Sequence, residues 1–88
     1  MMQSVNALIN NPTGLHARPA ALFTKTAAEY QSRITLKNGE RVVDAKSIIN
    51  VLSLGTKQGT SVVITAEGLD EREAIGALVA LIESNFGE

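Results

Sequence analysis

Residues 34–43 read ITLKNGERVV: two strand-like runs, Ile34-Thr35-Leu36 and Arg41-Val42-Val43, stand on either side of Lys37-Asn38-Gly39-Glu40. An Asn-Gly pair between such runs is the strongest short-range hairpin signal, because both residues tolerate the positive φ of tight hairpin turns. Two antiparallel strands are expected here, and the rest of the chain is read outward from them.

On the N-terminal side, apolar and polar residues roughly alternate through Ser4-Val5-Asn6-Ala7-Leu8-Ile9, with Val5, Ala7 and Ile9 on one face, as in a half-buried strand. Asn10-Asn11-Pro12-Thr13-Gly14 is turn chemistry. Pro19, Phe23, Ala27 and Tyr30 then recur at helical spacing, predicting a helix over 17–29. Proline is tolerated only in the first turn of a helix, where its missing N–H has no intrahelical acceptor, so the helix begins within a residue or two of His16.

On the C-terminal side, Ser47 precedes Ile48-Ile49-Asn50-Val51-Leu52-Ser53-Leu54 and Gly55 follows, the pattern of a short helix with a serine N-cap and a glycine stop. Lys57-Gln58-Gly59-Thr60 turns the chain into Ser61-Val62-Val63-Ile64-Thr65-Ala66, a fourth strand rich in β-branched residues. Gly68-Leu69-Asp70 leads into a last helix, in which Asp70 and Glu73 form an acidic capping signal. Its apolar stripe is Ile75, Leu78, Val79, Ile82 and Phe86, and Gly76 within it costs about 1 kcal/mol relative to alanine. The order is βαββαβα. It predicts an α+β fold, a two-layer open-faced sandwich in which three helices cover one face of a four-stranded antiparallel sheet. Without a repeat, linker or low-complexity segment, residues 1–88 are read as one domain.

The chain has 88 residues, enough to bury roughly 60–65% of its unfolded surface but leaving little room for a deep pocket. Apolar residues make up 44% and charged residues 19%, the balance of an ordinary globular protein. There is no cysteine and one histidine, so neither disulfides nor a zinc cage are expected, and no cofactor is implied. A formal charge of −1 gives no general attraction to nucleic acid or anionic membrane. No apolar run approaches the ~20 residues of a membrane span, and the first residues lack the pattern of a signal peptide. A cytoplasmic location is the expectation.

The one histidine lies where the first long helix starts. Backbone N–H groups there lack partners, and together with the helix dipole they favour an anion. Arg18, two residues on, adds a permanent charge whose planar fork suits phosphate oxygens. The same positive surroundings disfavour an imidazolium, so a neutral ring with a free lone pair is expected near pH 7. Such a ring is a nucleophile able to accept a phosphoryl group. A lone histidine beside a helix start is as often a plain surface or capping residue, and Arg18 alone reads as a solvated charge. Their combination with Gly14 and Pro19 shifts the balance.

Gly14-Leu15-His16-Ala17-Arg18-Pro19-Ala20 resembles the active-site signature of the HPr family, the histidine-containing phosphocarriers of the bacterial phosphoenolpyruvate-dependent sugar phosphotransferase system. Ala45-Lys46-Ser47-Ile48-Ile49, continuing to Leu52-Ser53-Leu54-Gly55, is similar to the family's second segment, and Gln58-Gly59-Thr60 and Ala66-Glu67-Gly68 lie where the family has them. The resemblance covers essentially the whole chain. It implies that enzyme I phosphorylates His16 on ring Nδ1, that Arg18 steadies the group, and that the group passes to EIIA domains of sugar permeases. Phosphoryl transfer depends mainly on positioning and charge, which a helix end and an arginine supply when the partner provides the rest.

Ser47 has two compatible readings. As an N-cap it contributes about 1 kcal/mol. The resemblance also implies regulatory phosphorylation there by an HPr kinase, with the phospho-form a partner of a catabolite control protein. Two added negative charges beside the docking face would repel an acidic partner and slow transfer. The same resemblance places Ala17, Ala21, Ile48, Ile49, Leu52 and Gly55 on the partner-docking surface. A helix of two turns cannot bury every side, and large exposed apolar groups commonly mark such surfaces. A carrier that must swap partners is expected to be a monomer. The alternatives are a Crh-like regulatory module, a type that lacks the active histidine, and a nitrogen-branch NPr-like carrier. A small hydrolase using His16 and Ser47 has no nucleophile elbow to support it.

Overall fold

The computed structural model describes residues 2–88. Its elements are β1 (Met2–Ile9), α1 (Ala17–Ala28), β2 (Arg33–Asn38), β3 (Arg41–Asp44), α2 (Ile48–Ser53), β4 (Thr60–Glu67) and α3 (Glu71–Glu83), followed by a single turn at Asn85–Gly87. The order is the βαββαβα expected from the sequence. The strands form one antiparallel sheet in the order β1-β4-β2-β3. Because β4 is antiparallel to both β1 and β2, those two strands run parallel to each other with β4 between them.

The β2–β3 hairpin is tighter than the sequence suggests. Asn38 pairs with Arg41, so the loop is Gly39-Glu40 alone. Gly39 takes φ 64 at the first loop position, where glycine meets no steric penalty. Asn38 is thus a strand residue, and its Nδ2 donates to the Thr56 hydroxyl at 3.1 Å.

Alternation puts Val5, Ala7 and Ile9, then Val62, Ile64 and Ala66, and then Ile34 and Leu36 on the covered face of the sheet. Pro19, Ala20, Phe23 and Ala27 from α1, Val51 from α2, and Ala74, Leu78 and Ile82 from α3 close over it. Helix α1 packs on α2 and α3, and α3 lies on β1 and β4. Ile75 and Val79 only flank this core, whose α3 stripe is Ala74, Leu78 and Ile82.

Two expectations at the last helix are corrected. Asp70 makes no side-chain cap, because its carboxylate accepts from the Gln31 and Ser32 amides and the Ser32 hydroxyl. Glu71 acts at that end instead, its Oε1 accepting from the Gly68 amide at 3.1 Å. Phe86 does not extend the helical stripe. The helix ends at Glu83, Asn85 and Phe86 take φ 55 and 54, and this left-handed reversal drives the Phe86 ring into the core, where it is 1% exposed. That conformation is costly for a bulky side chain, and burial of the ring offsets it.

Candidate functional site

The β1–β4 register decides which loops meet. Ile9 pairs with Thr60, so the chain leaving β1 and the chain entering β4 lie side by side at one end of the sheet. Gly59 N donates to Ile9 O at 2.7 Å, Gln58 Nε2 to Asn10 O at 3.0 Å, and Leu15 N to Thr56 O at 3.0 Å. Gly14, at φ 63, lies so close to this second loop that a Cβ would come within 2.9 Å of Lys57 Cα, and closer still to the Thr56 carbonyl oxygen. Residue 14 must be glycine for both reasons, which is the physical content of the Gly14-Leu15-His16 motif.

This strapping places His16 as the N-cap of α1, with extended backbone (φ −81, ψ −166) and its carbonyl accepting from Ala20 N at 2.8 Å. The imidazole is exposed and does not cap the helix with its own side chain. Pro19 brings no N–H to the first turn, so the free amides at this end are those of Ala17 and Arg18, which follow His16 directly in the chain. Helix α1 has no acidic residue in its first turn to occupy them.

Beside His16 lies a shallow groove of about 240 Å³ lined by Thr13, Leu15, Leu52, Gly55, Thr56 and Lys57. Neither Ser47 nor an aspartate lines it, which removes the His16–Ser47 hydrolase arrangement. Larger hollows lie elsewhere and contain no histidine. Among the described residues, no cluster of three or more metal-ligating side chains occurs.

Glu88 reaches the loop that precedes His16. Glu88 Oε2 accepts from the Thr13 hydroxyl at 2.7 Å and Oε1 from Asn11 Nδ2 at 3.2 Å, while that amide also donates to Gly14 O at 2.8 Å. The Thr13 hydroxyl, and to a lesser degree Asn11 and the Arg18 charge, hold the Glu88 carboxyl below the usual glutamate range. Arg18 Nη1 donates to the Phe86 carbonyl at 3.4 Å, so the guanidinium rests against the C-terminal turn.

Ser47 caps α2, its Oγ accepting from Asn50 N at 3.3 Å. All six expected docking residues, Ala17, Ala21, Ile48, Ile49, Leu52 and Gly55, are exposed, Ile49 at 76%. They come from the start of α1 and from α2 with its stop, and α1 packs against α2. Thr56, Lys57, Asn11 and Glu88 went unremarked as site residues in the sequence. Their positions depend on pairings with residues up to 77 places away, which leave no local pattern.

A family model described as the PTS HPr component phosphorylation site matches residues 3–84. The chain belongs to the HPr family. HPr of Cupriavidus necator is 42% identical over 88 residues, covering 100% of this chain and 98% of its own length. The phosphocarrier NPr of Proteus mirabilis is 44% identical over 89 residues, covering 100% of this chain and 99% of its own. Among solved structures, HPr of Thermoanaerobacter tengcongensis superposes with a TM-score of 0.96 at 55% identity, over 98% of this chain and 97% of that one. As an HPr-family protein of the phosphotransferase system, the chain is a phosphocarrier and not a catalyst. The four-stranded sheet with its three helices is the HPr fold.

Proposed function

We propose that His16 is the atom-bearing centre of this carrier: enzyme I, charged by phosphoenolpyruvate, places a phosphoryl group on its ring Nδ1, and the group moves on to a histidine of an EIIA domain. The observation that supports this reading best is the exposed imidazole at the N-cap of α1 beside two unpartnered amides. An arriving dianion would meet a positive helix end there. Arg18 is the mobile partner in this scheme, able to leave its long contact with the Phe86 carbonyl for a charge-assisted bidentate one.

The exposed apolar surface formed by Ala17, Ala21, Ile48, Ile49, Leu52 and Gly55 would receive both partners in turn, in the cytoplasm, with the chain acting as one monomeric domain. No helix is long and apolar enough to cross a membrane among the described residues. Phosphorylation of Ser47 by an HPr kinase would set negative charge at the edge of that surface and slow transfer, and a catabolite control protein would be the reader of the phospho-form.

We assign the sugar branch from the Ala45-Lys46-Ser47 segment. Comparable identity to NPr of Proteus mirabilis favours a nitrogen-branch carrier as the second reading. Incubation with enzyme I and labelled phosphoenolpyruvate should give one acid-labile, base-stable label per chain, absent from His16→Ala. No label on the wild-type protein would refute the carrier role of His16. Chasing that label into sugar-type and nitrogen-type EIIA domains side by side decides the branch by which one drains it faster.

A further inference from the structure

Lys57 lines the His16 groove, yet nothing in the chain's signature motifs points to it. Its backbone is held from several sides. Leu15 N donates to the carbonyl of Thr56, Gly14 packs against Lys57 Cα, Thr60 N donates to Lys57 O at 3.1 Å, and Asn38 anchors the Thr56 hydroxyl. The side chain, in contrast, is exposed and free. Arg18, Arg41 and Lys46 each donate to a backbone carbonyl, of Phe86, Ser53 and Tyr30 respectively. Among the described residues no hydrogen bond or ion pair engages the Lys57 ammonium. A cation fixed at its root, unpartnered at its tip and sharing a groove with the imidazole is placed to meet an anion on that ring.

We infer that Lys57 is a second cationic contact of the phosphoryl group on His16, in addition to Arg18. The inference rests on the reading of His16 as the acceptor. In the transfer, the P–N bond to the donor histidine breaks as a P–N bond to the His16 ring forms. The three oxygens and their negative charge arrive together, the other ring nitrogen keeps its proton, and Lys57 neither gives nor takes one. Its contribution is charge alone, a compact ammonium against phosphate oxygens. Arg18 begins beside the Glu88 carboxylate, which offsets part of its charge, whereas Lys57 faces no such competitor. The two cations are therefore not redundant.

A contact to the bound group alters the equilibrium of transfer, whereas a contact to a partner protein alters only its rate. The measurement is the fraction of phosphorylated chain at a fixed phosphoenolpyruvate-to-pyruvate ratio with catalytic enzyme I. Lys57→Met should lower the equilibrium constant about two- to five-fold, the range for one exposed ion pair. Lys57→Arg should restore it, and the difference should shrink in 0.5 M salt, where the Debye length falls to about 4 Å. Equal equilibrium constants for wild type and Lys57→Met, whatever the rates, overturn the inference, as does a loss that Lys57→Arg fails to restore. Absence of label on the wild-type chain would instead sink the acceptor role of His16 and this inference with it.

Discussion

The carboxylate of Glu88 accepts a 2.7 Å hydrogen bond from the hydroxyl of Thr13, three positions before His16. Glu88 thereby braces the loop that presents the imidazole. Because the bond favours the ionised carboxylate, the Glu88 pKa lies below its ordinary value. A group depressed in the folded state stabilises the fold above its unfolded pKa of about 4.3, and that stabilisation is lost as pH falls through the folded pKa. In Thr13→Val, a carbon-detected NMR titration should show the Glu88 carboxyl midpoint moving up. A midpoint unchanged from wild type would mean the bond does not persist in solution.

Asp70 is depressed for a related reason: the Ser32 hydroxyl first, then the Gln31 and Ser32 amides, all donate to its carboxylate. The sign is the same, with support complete above about pH 4 and withdrawn as acid protonates the group. Ser32 is buried, so Asp70→Asn should lower the urea midpoint at pH 7, and the gap to wild type should narrow as pH falls toward 3. A gap independent of pH would assign the loss to packing and not to charge.

Gly14→Ala meets two obstacles at once, a positive φ and a methyl group driven into the Thr56–Lys57 backbone. The left-handed conformation alone costs roughly 1–2 kcal/mol. With the steric conflict added, thermal unfolding should show a loss of about 2–4 kcal/mol, and acceptance of phosphate should fall because the loop bearing His16 must move. Gly39→Ala, at φ 64 in open space, is the control and should lose only the conformational part.

Ser47→Ala removes the hydroxyl that accepts from Asn50 N and should cost about 1 kcal/mol in chemical denaturation. Ser47→Asp keeps a capping acceptor, so its stability should stay within a few tenths of a kcal/mol of wild type. Slower phosphate acceptance by Ser47→Asp at unchanged stability would then isolate the effect of negative charge at that edge of the docking surface.

Local pattern was sufficient for much of this. The order of the elements, the N-cap positions of His16 and Ser47, and the placement of α1 by Pro19 all follow from interactions within four or five residues, and such interactions leave their mark in sequence. The same holds for the exposed face of α2, since six residues at Ile48–Ser53 can bury only one side. Where long-range partners competed, local pattern gave way: Asp70 caps residues 31 and 32 of another segment instead of its own helix, and Phe86 leaves the α3 spiral through left-handed backbone that carries its ring into the core. The Thr56–Lys57 wall of the His16 groove belongs to this second kind. Thr56 and Lys57 come to the groove because Ile9 pairs with Thr60, which lays the chain entering β4 beside the loop that carries His16. Strand register is a global minimum of side-chain burial, and no stretch of sequence shorter than the sheet contains it.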